Sequence, residues 1–329
     1  MRANPFSLKA FSPANQVFAK LTHQTIEIHR LDGTLLQTLK LSGPEVNEAA
    51  FSPDGQLLTA RTSQGETRVW NVKTGQQLAQ LKATNPSKRA SFRHFSRDLP
   101  KSLVFSPNNS LLALAETPGT KNLVEVWSLG NTPRRVASLS QSERVSTMAF
   151  SPDNRALVCG SAGGSLRWYD VATQKMKAEV RNGSAMVWDI VFTPQGLVVG
   201  ERGQSPATLT LYDVPSIRNS AQRPGGQKPL LQKKTQIASG LHIAMWDKLA
   251  ISPQGRFFAT ASYSGAREIV VGHLSTGVPL ARLEVDMFRV ESIAFSPDGT
   301  RLTCIGHSMA NGQMQVVSYR RPTPEKQTR

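Results

Sequence analysis

The ten residues from Lys88 to Arg97 hold four cations, Lys88, Arg89, Arg93 and Arg97, interleaved with Phe92 and Phe95. Cations grip phosphates and aromatic rings stack on unpaired bases, so this pattern suits single-stranded nucleic acid. Phe92 and Phe95 also stand three apart, the spacing with which a short helix pins itself to a protein body. A second run, 214–235, contains Arg218, Arg223, Lys228, Lys233 and Lys234 and no acid, and the last ten residues add Arg320, Arg321, Lys326 and Arg329 against Glu325. Together with segment 84–103, which also contributes Lys101 and Asp98, these stretches carry 12 of the 16 net positive charges, leaving the rest of the chain close to neutral. Basic segments on a neutral frame attract nucleic acid, an acidic protein or a membrane face, or else serve only to keep the surface solvated.

Catalytic chemistry finds less support. The six histidines are His23, His29, His94, His242, His273 and His307, and none pairs with another His, Cys or acid at metal-ligand spacing. There is no nucleophile elbow, phosphate loop or dinucleotide fingerprint, and Gly163-Gly164 marks only a turn. The expectation is a protein without a cofactor or a metal.

The frame that must position these residues is periodic. Phe-Ser-Pro, or a close variant, begins at Phe11, Phe51, Phe105, Phe150, Phe192, Ile251 and Phe295, at intervals of 40 to 59 residues. Each anchor ends an apolar strand and leads into a turn such as Ser296-Pro297-Asp298-Gly299, where Pro fixes φ, Asp caps its own backbone and Gly accepts positive φ. A second apolar strand follows, then a third ending in an aromatic, as at Trp70 or Trp168-Tyr169, then a Thr-Gly turn and a fourth strand such as 77–81. Four short strands per period predict an all-β fold, one propeller blade per repeat. The two longest intervals contain the basic runs 84–103 and 214–235, so these read as insertions, which in repeat proteins map to loops.

The whole pattern resembles the WD-repeat β-propeller family in its bacterial Phe-Ser-Pro-Asp-Gly spelling. The resemblance implies a seven-bladed β-propeller over residues 1–320 followed by a basic polar tail at 321–329. No repeat has the family's Gly-His dipeptide at its place ahead of the inner strand, and its signature Trp survives at Trp70 and Trp127, with Tyr169, Tyr212, Gly272 and His29 elsewhere, so the family's buried hydrogen-bond tetrad is expected to be incomplete. Cys159 and Cys304 each stand nine residues after an anchor, in equivalent second strands, and read as buried, unbridged thiols. His23 and His307 each stand twelve after theirs, in turns too far apart to share an ion.

By the same resemblance, residues four before an anchor approach the tunnel mouth on the wide face. They include Asn47, Lys101, Ser146, Trp188, Asp247 and Glu291, with Glu45, Arg144 and Arg289 two positions earlier. The set lacks the paired carboxylates of hydrolytic chemistry and reads as a recognition surface, with Trp188, Arg144 and Arg289 as its leading contacts. The alternative for Trp188 is packing against a neighbouring blade. A non-enzymatic scaffold for a macromolecular partner, acidic or part of a larger complex, is the leading expectation. A nucleic-acid-associated propeller and a tunnel hydrolase or lyase are the alternatives. With 39% hydrophobic residues, mean hydropathy −0.30, no apolar stretch of about 18 residues and no signal-like run in residues 1–20, a soluble cytoplasmic protein is expected. Blade seven has no evident fourth strand before the tail, so either three strands suffice, or a partner or a removed segment completes it.

Overall fold

Five of the seven repeats are organised by one serine, and the fifth has Thr193 in its place. In the second, the Ser52 amide donates to the Leu57 carbonyl at 2.9 Å, the Leu57 amide returns to Ser52 Oγ at 2.9 Å, and Ser52 Oγ donates to Asp54 Oδ1 at 2.6 Å. Gly55, at φ 69°, turns its amide back onto the Ser52 carbonyl. Asn109 and Asn154 supply the same positive φ in the third and fourth repeats, as asparagine can where most side chains clash. Ser106, Ser151 and Ser296 rebuild the motif with Asn108, Asp153 and Asp298. Asp298, accepting from Ser296 and Thr300, is held down at about 2.

The computed structural model describes residues 7–22, 25–41, 46–62, 65–82, 101–115, 122–181, 183, 185–202, 207–214, 232–241, 248–261, 268–311 and 313–320. They form seven antiparallel sheets, the blades of a seven-bladed β-propeller, as the sequence predicts. The first comprises β1 (Ser7–Ser12), β2 (Val17–Leu21), β3 (Thr25–Arg30) and β4 (Leu35–Lys40), and the second β5 (Val46–Phe51), β6 (Leu57–Thr62), β7 (Thr67–Asn71) and β8 (Gln77–Leu81). The third has β9 (Leu103–Phe105), β10 (Leu111–Ala115), β11 (Leu123–Ser128) and β12 (Arg134–Ser140). The fourth has β13 (Val145–Phe150), β14 (Ala156–Ser161), β15 (Ser165–Asp170) and β16 (Met176–Arg181). The fifth has β17 (Met186–Thr193), β18 (Gly196–Arg202), β19 (Ala207–Asp213) and β20 (Gln232–Leu241). The sixth has β21 (Lys248–Ile251), β22 (Phe257–Ala261), β23 (Glu268–His273) and β24 (Pro279–Glu284). The seventh, among the described residues, has three strands: β25 (Met287–Phe295), β26 (Arg301–Ser308) and β27 (Met314–Arg320). The first five sheets lie in one compact unit, Met1–His242, and the last two in another, Ile243–Arg329.

Within the first unit the inner strands β1, β5, β9, β13 and β17 neighbour one another in that order, and in the second β21 neighbours β25. The cores lie between successive sheets and follow from alternation along the strands. Trp70 faces back into the cluster shared with the first sheet, while Val69, one residue earlier, faces forward onto Leu103, Phe105 and Leu112 of the third. Four of the fourth strands complete this forward face with a small residue and a larger apolar one two positions on. Ala79 and Leu81, Ala137 and Leu139, Ala178 and Val180, and Ala281 and Leu283 stand opposite the third strands in one register.

The missing signature tryptophans have a physical counterpart. Leu58, Leu112, Leu157 and Leu197 on second strands pair with Trp70, Trp127, Tyr169 and Tyr212 on third strands. Where the third strand offers His29 or Gly272 instead, the second strand offers Phe18 or Phe258. Phe18 stacks on His29 with centroids 5.3 Å apart, and a Cβ on Gly272 would come within 2.5 Å of the Phe258 ring. In the sixth sheet the ring and its small partner have exchanged strands, while in the first sheet two rings face each other. Cys159 and Cys304 are buried and unbridged, their thiols pushed up to about 12 by desolvation.

Candidate functional site

The residues four before their anchors share a backbone device that the sequence did not reveal. The register of the inner hairpin slips between Val46 and Glu48, Val145 and Thr147, Val187 and Asp189, and Val290 and Ser292. The extra residues are therefore Asn47, Ser146, Trp188 and Glu291, each at a β-bulge that takes it out of the pairing ladder, a backbone shift of the kind that re-aims side chains. The side chains of Asn47 and Arg289 lie outside the described residues, and Asp247 lies outside them entirely.

In the first unit, three cross-sheet links fix the backbone around these bulges. Lys101 Nζ reaches both carboxylate oxygens of Asp189 at 2.7 and 2.8 Å. That link runs from the third sheet to the fifth, past the fourth. Asp189 is 3% exposed and also accepts from the Ile190 amide, whereas the Lys101 side chain remains 53% exposed. Ser146 Oγ donates to the Val187 carbonyl, tying the fourth sheet to the fifth. Glu48 joins the second to the third, accepting the amides of Ser102 and Leu103 at 2.9 and 3.2 Å and the Ser102 hydroxyl. Burial pushes the Glu48 carboxyl up to about 7, although these donors and the charge of Arg61, its cross-strand partner, pull the other way. Arg61 in turn donates to the Ala115 carbonyl of the third sheet.

Trp188 lies over its own blade. A Cβ on Gly200 would meet the indole at 2.5 Å, and the indole nitrogen is buried without a hydrogen-bond partner. The ring is half-buried, with Gly200 of the next strand beneath it. Arg144, also half-buried, has its pKa lowered by desolvation. In the second unit, Glu291 Oε1 stands 3.7 Å from His307 Nε2. Among the described residues no group of three or more His, Cys, Asp or Glu could hold a metal ion, and no helix is long and apolar enough to cross a membrane.

The basic segments are only partly described. Lys88, Arg89, Arg93, Arg97, Arg218, Arg223 and Lys228 lie outside the described residues, as do His23, Phe92 and Phe95. Lys233 and Lys234 correct the expected insertion boundary: both belong to β20, where Lys233 pairs with Tyr212. Glu48, Arg61 and Asp189 were missed by the sequence reading. An acid three residues before an anchor, on an otherwise apolar strand, is the signal that would have found Glu48 and Asp189.

The family model of the WD40 domain of anaphase-promoting complex subunit 4 matches residues 9–97, and that of the WD domain, G-beta repeat, matches 133–170. The WD repeat-containing protein VIP3 of Arabidopsis thaliana is 27% identical over 198 residues, covering 59% of each chain. Small ribosomal subunit protein RACK1z of Oryza sativa subsp. japonica is 28% identical over 137 residues, 40% of this chain and 36% of that one. The chain thus spans less than two thirds of the length of these curated relatives. Among solved structures, the β-propeller domain of Cps50 (Swd1) from Myceliophteria thermophila aligns with TM-score 0.73 at 14% identity, over 97% of this chain and 98% of that one. Hydrazine synthase of Kuenenia stuttgartiensis aligns with TM-score 0.69 at 14% identity, over 98% and 97%. These two likenesses concern the fold alone; the family matches and relatives support a WD-repeat propeller.

Proposed function

We propose that this chain is a non-enzymatic scaffold that binds an acidic macromolecular partner in the cytoplasm, through the bulged ends of its inner strands and its basic segments. The observation that carries the reading is the recurrence of a bulge at one register position. Four sheets bulge there, and in the first unit the backbone around it is held by Lys101–Asp189, Ser146–Val187 and Glu48–Ser102. A surface fixed in advance loses little entropy when it binds. Trp188 and Arg144 are of the residue types that dominate interface energetics. Asn47 and Lys101 complete the proposed surface of the first unit, Asp247, Glu291 and Arg289 are the corresponding candidates of the second, and the net charge of +16 sets the sign of the partner. Relatives named as WD repeat-containing proteins and as a small ribosomal subunit protein fit a role inside larger assemblies.

The test is affinity capture with the full chain against its Arg144→Glu and Trp188→Ala forms. Both variants are expected to lose the same specific partner while keeping a cooperative melt. An unchanged partner profile for both would overturn the reading. A partner that proves to be RNA or DNA, with affinity falling steeply between about 50 and 200 mM salt, would replace the protein scaffold by the nucleic-acid alternative.

A further inference from the structure

Six sheets cover their third strand with a fourth, whereas β27 has a neighbour on one side only among the described residues. The residues concerned are not those of a protected edge. Met314, Gln315, Val316 and Val317 are half-buried, with no Lys or Pro before Pro322 to discourage pairing. At the positions of Val69 and Thr67, both buried beneath Ala79 and Leu81, β27 presents Ser318 and Val316.

The other sheets define what would fit. Four of their six fourth strands place an Ala opposite the position of Ser318 and a Leu or Val opposite that of Val316, as Ala137 and Leu139 do against Val126 and Val124. The far end of the edge adds a charge requirement. Arg320 and Arg301 are cross-strand partners, both exposed, at a position where the fourth and fifth sheets have Asp170 and Asp213. Like charges side by side are unfavourable, and an acid laid beside Arg320 would relieve them.

We propose that the free edge of β27 receives an antiparallel strand from a partner protein, an extended segment reading small residue, any residue, Leu or Val, with an acid beside Arg320. Residues 321–329 are a poor occupant, since they contain Pro322 and Pro324 and no Ala, Leu or Val. A second copy is also disfavoured: edge-to-edge pairing would bring together two chains of +16. Main-chain hydrogen bonds would provide the affinity and the apolar pair the register.

The probe is a fluorescent peptide, Glu-Glu-Val-Ala-Ser-Leu-Ser, which is the sequence of β12 with its two arginines replaced by glutamate. With the full chain we expect saturable binding and slowed amide exchange confined to residues 314–320. Ser318→Lys, a change at an exposed edge position, should weaken binding by about tenfold or more with the melt retained. Arg320→Glu should reverse the preference toward the arginine-bearing parent peptide. Trp188→Ala should bind the probe normally, which separates this edge from the proposed surface on the inner strands. Absence of binding, or binding indifferent to Ser318→Lys, would overturn the proposal. A concentration-dependent dimer abolished by Ser318→Lys would assign the edge to a second copy instead. Binding that appears only after removal of residues 321–329 would assign it to the tail.

Discussion

The second and sixth sheets have the same strand order and the same turn, yet they fill and brace themselves differently. In the second, Leu58 on the middle hairpin sits beneath Trp70, while in the sixth Phe258 occupies the space that Gly272 leaves empty. On the inner strand the second sheet pairs Glu48 with Arg61, and the sixth pairs Lys248 with Ala261 at the equivalent positions. The sixth sheet therefore keeps a ring in the cross-strand pair but carries it on the other strand, while the polar link between sheets belongs to particular blades. A signature residue read alone underestimates how regular the packing is.

The comparison can be broken most severely at Phe258. Phe258→Ala has no ring on the facing strand to fill the void, so a loss of about 3–5 kcal/mol is expected in denaturant unfolding. Leu58→Phe tests the converse, placing two large rings in the second sheet, and should cost about 1–3 kcal/mol by the same measurement. A double-mutant cycle sharpens the point. Gly272→Ala forces a Cβ against the Phe258 ring and the Val278 carbonyl, and Phe258→Leu relieves only the first, so a coupling of about 0.5–3 kcal/mol is expected. Strict additivity would mean that the two residues do not share one volume.

The polar difference is read by pH. Glu48 is raised in the folded chain to about 7 from an ordinary 4.5, so its contribution to stability is present below pH 4.5 and is lost as pH rises through 7. Glu48→Gln should flatten that part of the stability profile, by an amount on the order of 3 kcal/mol, whereas Lys248→Gln in the sixth sheet should leave it in place. The smallest effect is expected in the basic run that follows the second sheet and has no counterpart after the sixth. Neutralising Lys88, Arg89, Arg93 and Arg97 together should move stability by no more than about 0.5 kcal/mol per site, while reducing partner affinity or on-rate. A thermal melt beside a binding titration checks both halves.

What the sequence made legible was whatever is encoded within a few residues. The Ser-Pro-Asp-Gly turns located the inner hairpins because serine, acid and glycine act on their own backbone, and Trp70 or Tyr169 could be placed by counting onward. The exchange of ring between Phe258 and Gly272 was overlooked because the third strand was read without its partner, although both residues are plain in the sequence. The bulges at Asn47, Ser146, Trp188 and Glu291 leave no compositional mark. Lys101 and Asp189 meet across 88 residues, a pairing that only the arrangement of the sheets creates. Lys233 and Lys234 looked like loop residues because charge outweighed strand propensity in a segment with few apolar positions.

The serine turn also sets an order in time. Its hydrogen bonds span no more than five residues, whereas the links between sheets span 41 for Ser146 to Val187, 54 for Glu48 to Ser102 and 88 for Lys101 to Asp189. Hairpins of this kind close within about 1–10 μs, long before distant segments meet. Each such repeat can thus shape its inner hairpin as soon as it leaves the ribosome, before its neighbour has been synthesised. The long-range links then act as late fasteners, so weakening Lys101 or Glu48 should speed unfolding while leaving the first steps of folding untouched.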